Sequence, residues 1–95
     1  MLEMKSDDKF RLAPNMLMQK IEELGKYWVF NIETGDHYSL NETAFWILER
    51  LAAESAQDQV IRDFLLEFAV SEKDGQTDFI EAVKGFLKEG ILQRR

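Results

Sequence analysis

The pattern of apolar positions changes period part-way along the chain. Up to Leu40 apolar residues fall in short, partly alternating runs, and from Asn41 onward they recur every three or four positions. The first half therefore reads as strands. Met16–Ile21 follows the punctuation of Pro14-Asn15, Leu24-Gly25-Lys26 turns the chain, and 27–32, aromatic and β-branched, makes the strongest strand. Residues 33–36 form a hairpin loop in which Gly35 supplies a positive φ. His37–Leu40 is a short third strand, with Tyr38 and Leu40 on one face and His37 and Ser39 on the other.

The second half reads as helices. Asn41 can cap a helix over 41–53, with Glu42 beside its positive end and Ala44, Phe45, Ile47, Leu48, Leu51 and Ala52 on one stripe. Trp46 falls on the opposite side of that wheel. Ser55-x-x-Asp58 has the spacing of a capping box and opens a second helix to Val70, striped by Val60, Ile61, Phe64, Leu65 and Phe68. Residues 71–76 read as a loop, and a third helix spans 77–89 with Phe79, Ile80, Val83, Phe86 and Leu87 on one side. Gly90 suits the C′ position, after which Ile91-Leu92 can fold back. Residues 1–13 are expected as a flexible N-terminal arm that frays until Phe10 and Leu12 meet the domain of 14–95. The order β-β-β-α-α-α is an α+β plan, with helices on one face of an antiparallel sheet.

Composition narrows what this plan can do. Ninety-five residues, 45% hydrophobic and 32% charged, make one ordinary domain that needs no metal or staple to fold. With no cysteine, disulfides and thiolate chemistry are excluded, which fits a reducing compartment. Glu3, Asp7 and Asp8 deny the start an apolar signal core, and no apolar run nears the ~20 residues a membrane span needs. The expected location is cytoplasmic, without membrane contact. A net charge of −6 argues against nucleic acid, since the best basic cluster, Lys84, Lys88, Arg94 and Arg95, is interrupted by Glu81 and Glu89.

Catalytic chemistry finds little to use. His37 is the only histidine, so a transition-metal site has almost no ligands, and the carboxylates are spread along outer helix faces like an ordinary solvated surface. Asp74-Gly75 lacks the alternating acids of a calcium loop, and no two glycines share a phosphate cradle. The expectation is no catalytic residue, no metal and no cofactor.

The sheet is more informative. In a meander the first and third strands are edges with unpaired backbone groups. The first is guarded by Pro14, Lys20, Glu22 and Glu23; the third carries neither lysine nor proline. Two readings stand: this edge is simply short or covered by a helix, or it accepts a partner's extended segment by strand addition. The third helix is the available second wall, and Phe79 and Phe86 have the size for a groove wall or for a core. Trp46 either packs under the arm with Phe10 and Leu12 or joins an exposed contact surface.

Several stretches together resemble a known family. They are Arg11-Leu12-Ala13-Pro14-Asn15, Val29-Phe30-Asn31-Ile32-Glu33-Thr34-Gly35, Tyr38-Ser39-Leu40-Asn41-Glu42-Thr43-Ala44, and the closing Phe86-Leu87-Lys88-Glu89-Gly90-Ile91-Leu92. In this order and spacing, over about residues 11 to 92, the chain resembles the coenzyme PQQ synthesis protein D (PqqD-like) family. The resemblance implies a winged-helix-like fold and a role as peptide chaperone, or recognition element, for ribosomally made, modified peptides. It implies that a precursor's leader adds a strand at Asp36, His37, Tyr38, Ser39 and Leu40 and touches Phe79, Val83 and Phe86. The leader is then presented to a modifying enzyme, a radical-SAM protein in the PQQ pathway. Trp46 stands two positions before the family's common tryptophan position, occupied here by Leu48, and Ala44 replaces a common glycine. The segment before the third helix is long and acidic. Homodimerisation through the third strand would compete with the peptide. A winged-helix DNA-binding protein and an adaptor without peptide binding are the alternatives.

Overall fold

A computed structural model describes residues 9–95. Five strands and three helices follow one another as β1 (Phe10–Leu12), β2 (Met16–Ile21), β3 (Lys26–Asn31), β4 (His37–Leu40), α1 (Glu42–Ala52), α2 (Gln57–Glu67), α3 (Glu72–Lys88) and β5 (Leu92–Arg94). The α+β plan is therefore present, with β2-β3-β4 as a three-stranded antiparallel sheet. The third expected strand is β4.

Register decides what each face of that sheet carries. Met18, Val29 and Tyr38 stand opposite one another, as do Lys20, Tyr27 and Leu40. This is the core face, where Val29 is fully buried and Tyr27 lies 5.3 Å from the Phe45 ring of α1. The other face carries the rows Leu17–Phe30–His37 and Gln19–Trp28–Ser39. Phe30 sits there between Trp28 and His37, at 6.0 and 5.9 Å.

A second, two-stranded sheet was not foreseen. β1 pairs with β5, Phe10 opposite Arg94 and Leu12 opposite Leu92, so both ends of the fold are tied together. Phe10, Ala13, Ile91 and Leu92 are buried, Ala13 N–H donates to Ile91 O at 2.9 Å, and Arg95 reaches the Phe10 carbonyl at 2.9 Å and pairs with Glu54. Residues 10–13 thus belong to the folded body rather than to an arm; the rest of the expected arm, 1–8, lies outside the described residues.

The helix boundaries also differ from expectation, for local reasons. Ser55 does not cap α2. Its N–H donates to Arg50 O while Glu54, at φ 65°, donates to Leu51 O, closing the end of α1; α2 begins after Ala56 with no side-chain cap. That helix stops at Glu67, short of Val70, where Ala69 turns left-handed at φ 49°. The expected loop over 71–76 is the start of α3, because Ser71 Oγ accepts from Asp74 N–H at 3.2 Å and caps it. Gly90 behaves as expected of a C′ glycine: at φ 72° it donates to Leu87 O, and Ile91 donates to Phe86 O. Among the described residues, Trp46 meets α2 and its end. It packs on Phe64 of α2 and on Phe68 just past its end, at 5.7 and 5.6 Å, with the Arg50 guanidinium 3.7 Å above its ring.

Two glycines in α3 make opposite demands. A Cβ at buried Gly75 would overlap Leu65 Cδ2 and press on Val70 Cγ2 at 3.1 Å, so this glycine lets the α2–α3 turn approach the helix. A Cβ at exposed Gly85 would meet nothing within 4 Å. Gly85→Ala is expected to raise stability by about 0.5–1 kcal/mol, the helix-propensity gain. Gly75→Ala is expected to lower it by about 1–2 kcal/mol, because overpacking outweighs that gain. Urea unfolding of the two variants reads both signs, and Leu65→Ala should recover part of the Gly75→Ala loss.

Candidate functional site

β4 is paired on one side only, by β3, in the order β2-β3-β4. Which of its backbone groups remain open follows from the ladder. Asn31 N–H donates to Asp36 O at 2.8 Å, and antiparallel pairs alternate between bonded and non-bonded. Tyr38 and Leu40 therefore turn their backbone groups toward Val29 and Tyr27, whereas the N–H and C=O groups of His37 and Ser39 point outward. The hairpin before the strand holds this edge in place. Asn31 Oδ1 accepts from Glu33 N–H and Thr34 N–H at 2.9 and 3.2 Å, Gly35 takes φ 82°, and Thr34 Oγ1 donates to Asp36 Oδ2 at 2.9 Å.

At Leu40 the strand runs directly into α1, whose cap shapes one wall of a cleft. Asn41 Oδ1 accepts from Ala44 N–H at 2.8 Å and from Thr43 Oγ1 at 2.9 Å. Across from these residues, α3 contributes Asp78, Glu81 and Ala82, and Ile47 and Phe64 close the bottom. The cleft has a volume of about 390 Å³. Its apolar floor is reached between two small residues, Ala44 and Ala82, and its α3 rim is acidic.

The site residues expected from sequence divide into two groups. Asp36, His37, Tyr38, Ser39 and Leu40 lie together on the open edge, with His37 and Ser39 exposed and Tyr38 and Leu40 half-buried beneath. Phe79, Val83 and Phe86 do not line the cleft. At 0, 0 and 4% exposure they fill the core beneath α3, which leaves them no surface to offer a ligand. The α3 residues that reach the cleft are their neighbours around the helix, Asp78, Glu81 and Ala82. Periodicity marks the apolar stripe but not which flank of it stays open. The usable signal was Ala82, a small residue flanking that stripe.

A second hollow, between the sheet and α1, is lined by Lys20, Tyr27, Phe45 and Trp46. Lys20 Nζ lies 3.0 Å from Glu22 and 3.1 Å from Glu49, and these hydrogen bonds, Glu22 first, raise its pKa above the ordinary lysine value. Among the described residues no three His, Asp or Glu side chains converge as a metal site, and no helix is long and apolar enough to cross a membrane.

The family model described as coenzyme PQQ synthesis protein D (PqqD) matches residues 26–92, from the start of β3 to the start of β5. The chain belongs to this family. No curated protein matches it at a significant level. Two solved structures share the PqqD-family fold seen here. One, described as lasso peptide synthetase B1 complexed with the leader peptide, has a TM-score of 0.78 at 22% identity, covering 90% of this chain and 98% of that one. The other, TbiB1 in complex with the TbiA(beta) leader peptide, has a TM-score of 0.77 at 12% identity, covering 87% and 94%.

Proposed function

We propose that this chain is a leader-peptide recognition domain. It binds the leader of a ribosomally made precursor by strand addition to β4 and presents the precursor to a modifying enzyme, of radical-SAM type in a PQQ-like pathway. The domain itself acts by binding rather than catalysis, and it works in the cytoplasm. The observation that carries this reading is the open β4 edge: His37 and Ser39 direct unpaired backbone groups outward, and the strand leads straight into the α1 cap that forms one wall of a cleft with α3. Membership of the PqqD family and the likeness to two proteins solved with leader peptides support it. A DNA-binding role finds no support on α3, where Asp78 and Glu81 edge the cleft and would repel phosphate.

The test is a titration of the labelled protein with leader segments of small precursor peptides encoded near its gene, followed by heteronuclear NMR. Saturable shifts should centre on residues 36–40 and on Ala44, Asp78, Glu81 and Ala82. Shifts confined to α2, with β4 silent, would replace this reading by an adaptor role. The same open edge can pair with a second copy, and such a homodimer through β4 would dissociate as peptide is added.

A further inference from the structure

The cleft between the start of α1 and α3, reached directly from the end of β4, is asymmetric in a way that says which peptide it takes. Its floor, Ile47 and Phe64 reached between Ala44 and Ala82, is apolar. Its polar side chains on α1 are already engaged, since Asn41 Oδ1 holds the Ala44 N–H and the Thr43 hydroxyl. The other first-turn N–H groups of α1 remain open on one side, and the α3 rim opposes them with carboxylates. Asp78 and Glu81, three positions apart, stand on one side of the helix, and among the described residues neither has a hydrogen-bond or ion-pair partner.

We infer that the recognised segment is basic as well as apolar: an apolar side chain enters the cleft, and a neighbouring lysine or arginine meets Asp78 and Glu81. This inference rests on the peptide-binding reading above. The opposing influence is the positive end of α1, which equals about half a charge and is already offset by Glu42 in its first turn. Two full carboxylates outweigh it, and a net charge of −6 adds to the same field. An acidic leader would be repelled both on approach and when bound, whereas a basic one would be steered in.

A displayed library of short random peptides, selected against the wild-type protein and against D78N/E81Q, tests this. Both positions are exposed on α3, so the double variant keeps the fold. Peptides enriched on the wild type should combine an apolar residue with a lysine or arginine at fixed spacing. On D78N/E81Q the apolar preference should persist and the basic one vanish. For a selected peptide, exchanging the basic residue for glutamate should weaken wild-type binding about tenfold and D78N/E81Q binding less than about twofold. Raising salt from roughly 0.05 to 0.5 M should narrow that gap. Enriched peptides that are neutral or acidic, or a basic preference that survives in D78N/E81Q, would overturn the inference while leaving strand addition intact. If no peptide is enriched, the peptide-binding reading falls and takes this one with it; if binding ignores Ser39→Pro on β4, strand addition falls and this inference with it.

Discussion

Phe79→Ala is expected to cost about 3–5 kcal/mol of stability, the largest effect of any single truncation considered for this chain. Phe79 is fully buried at the centre of α3, in one core cluster with Val29, Leu48, Phe64 and Val83. Removing the ring leaves a cavity that the surrounding helices and sheet can only partly close. A 95-residue domain has roughly 5–14 kcal/mol in total, so this one change removes about a fifth of it at the least. Urea unfolding followed by circular dichroism measures the loss. The outcome also separates two roles for the residue. As a groove wall, Phe79 would cost little stability when truncated and much peptide affinity. As a core residue it costs stability, and whatever fraction remains folded keeps its affinity. A midpoint shift worth less than about 1 kcal/mol would contradict the burial on which this expectation rests.

The difference between those roles marks where sequence reasoning stopped. Strand β4 was legible because its alternation is clean and its edge lacks the lysine and proline that guard β2. The Asn41 cap and the Gly90 terminus were legible because each depends on one residue and its immediate neighbours. The β1–β5 ladder was not. Its strands are three residues long and lie some 80 positions apart, so no local pattern announces the pairing. The start of α3 was missed because Gly75 reads as a helix breaker, whereas its lack of a side chain is what lets Leu65 and Val70 pack there. In α3 the large apolar residues looked like the natural walls of a groove, yet size and apolarity drew them into the core. The residues left at the cleft are a small alanine and two carboxylates, types that elsewhere on the chain are plain surface. Their role comes from what stands opposite, which spacing along one helix does not encode.

Ser39→Pro should leave the domain folded and weaken leader binding by at least about thirtyfold. The Ser39 N–H points away from β3, so proline removes no bond of the existing ladder, and edge positions of this kind tolerate it. The bond it does remove is the donor an added strand would use, and the ring crowds the space where that strand would lie. An added strand that loses two to four backbone bonds forfeits about 2–4 kcal/mol, at roughly 1 kcal/mol each, which sets the thirtyfold floor. Isothermal titration with a leader segment, alongside the circular dichroism and melting curve of the free variant, gives both quantities. Tyr38→Pro is the internal contrast: its N–H faces Val29, so proline there should break the β3–β4 ladder and destabilise the domain itself. Affinity unchanged in a folded Ser39→Pro variant would mean that the peptide does not add to this edge, whatever else it touches. Affinity lost in Ser39→Pro but retained in Ser39→Ala would place the interaction in the backbone, since the two variants share the loss of the hydroxyl and differ in the N–H and the ring.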